Sequence, residues 1–137
     1  MYVLDTNVIS ELRRGKPNQS PQVRKWAAKQ PANRLFITAI TILELEKAVF
    51  SLERRSPLQG KALRAWLDGV RAAFNGRILS FTEVTAVVCA ALHVPDPHAE
   101  CDAMIAASAL EHKFIVVTRN TKDFDSTGVE CLYPWLG

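Results

Sequence analysis

Four acidic residues stand in settings where a carboxylate can do chemistry. Asp5 ends the stretch YVLD, Glu44 lies inside TILEL, Asp102 opens the small-residue run CDAMIAASAL, and Asp123 follows FIVVTRNTK. Asp102 is the only formal charge between Glu100 and Glu111. In a helix, Ile105, Ala106 and Ala109 share its face, and an unpaired ion on a buried face is costly. Each acid also has a plainer reading. Asp5 could cap a helix or an Asx turn, and Thr41 with Glu44 reads as a T-x-x-E capping box. Asp102 would suit the positive end of a helix dipole, and Asn120 or Asp123 could cap the turn after VVT.

Taken together, carboxylates converging on one place would repel one another and drive a pKa upward. A divalent cation removes that conflict. Oxygen ligands with no matching His or Cys set favour magnesium or manganese over zinc. His93, His98 and His112 form no H-E-x-x-H pattern, which argues against a zinc site. Glu11 and Glu46 are weaker candidates, because nearby Arg13, Arg14 and Lys47 suggest solvated helix faces.

The elements that must position these acids follow from hydrophobic pattern and breakers. Short buried strands are expected at Tyr2–Leu4, Arg34–Thr38, Arg77–Phe81 and Phe114–Thr118, with a fifth at Glu130–Leu132. Helices are expected at Asn7–Arg14, Gln22–Gln30, Thr41–Glu53, Lys61–Phe74 and Glu83–His93, and another carries Asp102. GKPNQSP, SPLQG and VPDPHAE read as breaks. Strands alternating with helices indicate an α/β fold: a short parallel sheet of four to five strands with helices on both faces. The carboxyl ends of such strands gather along one edge, where ligands bind. All four acids follow strand ends or open the next helix.

The 137 residues suit one compact domain, 1–137, and 48% hydrophobic with 23% charged residues is an ordinary globular balance. No apolar run approaches the roughly 18 residues of a membrane span. MYVLDTN lacks a basic lead and is not a secretory signal. Cys89, Cys101 and Cys131 are odd in number and show no C-x-x-C spacing, as expected of thiols in a reducing cytoplasm. Trp26, Trp66 and Trp135 read as core or interface anchors. The net charge of +3 is uneven: residues 1–95 hold 14 Lys/Arg against 7 Asp/Glu, and residues 96–137 hold 3 against 7. A basic surface beside an acidic centre would suit a phosphate-polymer enzyme, although solvated helix faces give the same count.

At this point the sequence resembles a known family. YVLDTNVISEL, FITAITILELEKA, DAMIAASALEHKFIVVTRNTKDF and the terminal YPW look like the PIN-domain ribonucleases, above all the VapC-type toxins of type II toxin–antitoxin pairs and their FitB-like branch. The resemblance runs from Met1 to about Trp135. It implies an endoribonuclease dependent on Mg²⁺ or Mn²⁺, with Asp5, Glu44 and Asp102 as its first three acids. The fourth position falls on Asn120 or Asp123, with Asp123 favoured as the charged member. Thr6, Asn7 and Thr118 match small polar positions that support metal or water. One departure is SFTEV, where relatives often carry an acid directly after the Phe and Thr82 stands here.

On this reading Asp5 and Asp102 hold the ion most directly, with Glu44 and Asp123 acting partly through water. Arg13, Arg14 and Lys16 would hold flanking RNA backbone. The resemblance also implies a homodimer and a cognate antitoxin that inserts a peptide into the acidic groove and itself carries the operator-DNA binding. Two rivals are distinguishable. Aspartyl-phosphate enzymes usually begin D-x-D, but Asn7 stands at the third position here. A non-catalytic PIN-like module, acting through antitoxin-linked DNA binding, would be indifferent to metal in a thermal melt.

Overall fold

The computed structural model describes residues 1–136. Five parallel strands form one sheet: β1 (Tyr2–Leu4), β2 (Leu35–Thr38), β3 (Ile78–Leu79), β4 (Ile115–Val117) and β5 (Cys131–Leu132), in the order β3-β2-β1-β4-β5. The chain steps outward from β1 through β2 to β3, then returns to place β4 on the other side of β1. That reversal is a topological switch point, where parallel α/β sheets open a crevice at their carboxyl edge. Asp5 and Thr118 are the first residues beyond the two strands that flank it.

Side chains alternate between the two faces, so each strand serves two cores. Leu4 and Val117 point into one cluster with Val8, Ile9, Leu45 and Leu67, beneath α1 (Thr6–Glu11), α2 (Pro21–Lys29), α3 (Ala39–Arg55) and α4 (Pro57–Ala73). Val3 and Val116 point into the other, with Ile105, Ala106, Ala109 and Phe124. This second face is covered by α6 (Glu100–His112) and a 3₁₀ segment, Thr121–Thr127, with α5 (Glu83–Leu92) packed on α6. The α/β architecture with helices on both faces is therefore as the pattern predicts. Trp26, Trp66 and Trp135 all pack, partly buried, against the first cluster. Among the described residues no helix is long and apolar enough to cross a membrane.

Three local expectations are corrected. SPLQG breaks the chain only at Ser56: α3 runs to Arg55 and α4 begins at Pro57, ahead of the expected start at Lys61. Proline is well suited to a first helical position because its missing N–H has no partner there anyway. Gly60 is a packing residue, since a Cβ there would collide with the Glu53 backbone of α3. Thr41 is not the cap of α3. That role belongs to Thr38, whose side chain accepts from the Thr41 N–H, while Thr41 itself is wholly buried. Glu11 is not solvated either, as its side chain is buried against the loop that follows α1. At SFTEV, Thr82 caps α5 in a reciprocal box with Thr85, so the helix starts without an acid at that position.

Candidate active site

Asp5 is placed by two strands at once. Its N–H donates to the Val117 carbonyl at 2.9 Å, which continues the β1–β4 pairing one residue past the strand. Its side chain then turns to cap α1: Oδ1 accepts from the Thr6 N–H at 2.8 Å. The helix-cap reading of Asp5 is thus correct, yet it accounts for only one of the two oxygens. Oδ2 accepts from Thr118 Oγ1 at 2.7 Å and from Asn7 Nδ2 at 3.2 Å. Asn7 in turn accepts the Arg119 N–H on Oδ1 at 3.2 Å, tying α1 to the end of β4. The Asn120 N–H donates to Thr118 Oγ1 at 3.0 Å. Thr118 therefore accepts from Asn120 and donates its hydroxyl hydrogen bond to Asp5.

Glu44 comes from the second turn of α3. Thr6 Oγ1 donates to its Oε1 at 2.6 Å and lies 3.4 Å from Thr41 Oγ1. Thr41 is a buried polar residue whose role the sequence reading missed. Thr38, Thr41 and Glu44 recur every third residue, which puts them on one helix face. That spacing was the available signal. Asp102 stands in the first turn of α6, half-buried, on a helix whose N-cap, Ala99, supplies no side-chain cap. Asp123 lies exposed in the first turn of the Thr121–Thr127 segment, its N–H bonded to the Asn120 carbonyl.

The electrostatics bring these acids together. The Asp102 carboxyl is pushed up to about 6, first by burial and then by repulsion from Asp5, Asp123 and Glu44. Asp5 is also raised: burial outweighs the hydrogen bonds from Thr118, Thr6 and Asn7, and Glu44 adds repulsion. The other three acids of the sequence reading thus all act on Asp102, and Glu44 acts on Asp5 as well. Asn120 contributes its backbone at this point.

Among the described residues, no three acidic, histidine or cysteine side chains close into a ligand set by themselves. The donors present are nevertheless the kind a hard cation takes. They are oxygen only, with neutral partners and no opposing positive side chain among the causes that shift Asp5 or Asp102. Magnesium keeps several waters and is commonly held by one or two carboxylates, so this open arrangement fits it better than a closed cage would. Of the cations expected to hold RNA, Lys16 is already paired with Glu11 at 3.3 Å and Arg13 lies over the Trp66 ring at 5.8 Å.

The comparisons with known proteins agree with this geometry. A PIN-domain family model matches residues 2–130. The chain belongs to the PIN-domain family. It is 33% identical to a VapC ribonuclease of Sinorhizobium fredii, over 98% of each chain. It is 35% identical to the toxin FitB of Neisseria gonorrhoeae, over 98% of this chain and 99% of that one. Among solved structures, FitAcB from Neisseria gonorrhoeae superposes with a TM-score of 0.89 at 33% identity, covering all of both chains. FitAB bound to a DNA fragment gives 0.88 at 30% identity, covering 98% of this PIN domain and 96% of the other chain.

Proposed function

We propose that this PIN domain is the toxin of a toxin–antitoxin pair, an endoribonuclease that cuts RNA phosphodiester bonds with the help of Mg²⁺ or Mn²⁺. The observation that carries the reading is the Asp102 carboxyl, raised to about 6 by burial and by three acidic neighbours. A carboxylate pressed by three others at a strand-end switch point is unfavourable without a cation and well suited to one. Kinship with a VapC ribonuclease and with FitB supports the toxin and nuclease parts of the reading.

Asp5 and Asp102 would supply the direct oxygen donors to the ion, and Glu44 and Asp123 would assist partly through water. The ion, when bound, lowers the pKa of an attacking water and neutralises charge on the scissile phosphate. The chain's own part is orientation. Thr118 and Asn7 hold Asp5 Oδ2, and Thr6 holds Glu44. Asn120 positions Thr118 through its backbone N–H. In-line attack by water would leave a 3′-hydroxyl and a 5′-phosphate.

The partners follow the same reading. FitAB has been solved on DNA, which supports a cognate antitoxin that carries the operator-DNA contact, with an antitoxin Arg suited to replace the metal charge. The exposed apolar face of α5, with Val84, Val87 and Ala91, supports a homodimer. We place the protein in the cytoplasm as one domain. The decisive experiment expresses the parent and Asp102→Asn side by side and sequences RNA 5′ ends. New 5′-phosphate ends are expected with the parent alone. An Asp102→Asn protein that cuts in magnesium at the parental rate would overturn the assignment.

A further inference from the structure

Beside the acids, at the free ends of β4 and β5, lies a group of side chains that the proposed chemistry leaves unused. Val117 pairs with Leu132 in the sheet, and the Thr118 N–H donates to the Leu132 carbonyl at 3.1 Å. The next pair out is Thr118 and Tyr133, and Arg119 follows Thr118 by one residue at the same carboxyl edge. The Arg119 guanidinium lies over the Trp135 ring at 5.3 Å. The Tyr133 ring lies 5.9 Å from Trp135, tilted by 36°, and is 39% exposed. Trp135 is anchored on its inner side by the first hydrophobic cluster, so it gives both neighbours a fixed backing.

Arg119 is tied to the acid site through its backbone, and its charge does not neutralise Asp5 or Asp102. Its N–H is bonded to Asn7, whose amide is bonded to Asp5. Among the described residues, neither it nor Lys122 makes an ion pair. The guanidinium, in no ion pair, is held instead by its aromatic partner, which leaves its N–H donors for a ligand. The same loop walls a depression of about 300 Å³, lined by Arg119, Asn120, Thr121, Lys122 and Asp123. That volume is at the small end of ligand sites.

We propose that Tyr133 and Arg119, backed by Trp135, form a stacking platform for the nucleotide next to the scissile phosphate. The inference rests on the nuclease reading and deepens it. A ring with a free face and a planar cation accept any unstacked base. Bases inside an A-form duplex cannot leave their neighbours to reach such a surface. Cations in the adjoining depression then meet the phosphate that follows. An antitoxin peptide could also use an aromatic surface, but the unpaired guanidinium and Lys122 favour a polyanion.

The test uses the full chain carrying Asp102→Asn, titrated in magnesium with a short, fluorescently labelled single-stranded RNA of mixed sequence and with a duplex of equal length. Adding Tyr133→Ala or Arg119→Ala is expected to weaken single-strand binding by about five- to tenfold each, the range of one base–aromatic contact. Tyr133→Phe should restore it, and Arg119→Lys, which keeps charge but loses the plane, should restore only part. The duplex should bind more weakly than the single strand. With Asp102 intact, Tyr133→Ala should raise KM more than it lowers kcat. Parental single-strand affinity in both alanine variants, or a duplex bound as tightly as the single strand, overturns the platform. So does a loss confined to association with the copurifying antitoxin, which would assign the surface to a protein. Failure of the nuclease reading is seen separately, as a parent chain that leaves RNA uncut.

Discussion

The two ends of α1 each bury an acid to almost the same depth, with Asp5 5% and Glu11 4% exposed, and their surroundings are opposite. Glu11 is matched by protein alone: Lys16 stands 3.3 Å from Oε1 and the Ser20 N–H donates to Oε2 at 2.9 Å. It clasps the loop after α1 and needs nothing further. Asp5 receives only neutral donors, and the charges around it are other carboxylates. Burial alone therefore does not mark a functional acid. What separates the two is whether the protein supplies the compensating charge or leaves it to a ligand.

Exchanging the two acids should separate their roles. Asp5→Asn is expected to lower RNA cleavage by on the order of 100-fold or more, as removal of a group that stabilises transition-state charge commonly does. Glu11→Ala should leave the cleavage rate per folded molecule near the parent's while lowering stability by about 1–2 kcal/mol. That loss comes mostly from the orphaned Ser20 N–H, because Lys16 is solvent-accessible and its ion pair is screened. Chemical denaturation and single-turnover cleavage on both variants check the pair. A Glu11→Ala chain that is fully stable and inactive would erase the contrast.

A smaller effect is expected from metal. Ten times the dissociation constant of Mg²⁺ should stabilise the parent by about 1.4 kcal/mol, by mass action. Glu11→Ala should gain as much, and Asp5→Asn or Asp102→Asn far less. Equal melting temperatures in magnesium, manganese and EDTA for the parent would favour the non-catalytic module.

The smallest effect is in pH. The Asp102 carboxyl sits at about 6 in the folded chain against an ordinary value near 3.8. As pH rises between those values the unfolded chain gives up its proton first, so the folded state binds more protons. Asp102 therefore contributes a stability that is present below that window and lost as pH rises through it, in metal-free protein. Melting curves in EDTA across that range should slope downward for the parent and less so for Asp102→Asn. The gain from magnesium should grow across the same range, as the carboxyl becomes available to the ion.

Much of the site was legible before any coordinates. Asp5, Glu44, Asp102 and Asp123 stand out because a charge interrupts an apolar run or directly follows one, and the alternation of strand and helix puts such positions at one sheet edge. Asn7 and Thr118 followed from family resemblance. Glu11 was misread because adjacent arginines suggest solvent, whereas its real partner is the backbone of Ser20, nine residues on. Thr41 was misread because a T-x-x-E match says nothing of where the helix starts. Thr38, three residues earlier, takes the cap and frees Thr41 to pack beneath Thr6. The extent of the SPLQG break was misread because glycine and proline serve close packing and helix starts as well as turns.

The sequence by itself determined the class of fold and the oxygen-only chemistry of the candidate site, because hydrophobic period and side-chain chemistry are properties of the chain before it folds. Which oxygens meet, and which of two equally buried acids is left without a protein counter-charge, was decided only in three dimensions. The strand order β3-β2-β1-β4-β5 brings Thr118 to Asp5 across 113 residues of chain. Electrostatic energy depends on the distance between charges in space, and a sequence records only their separation along the backbone.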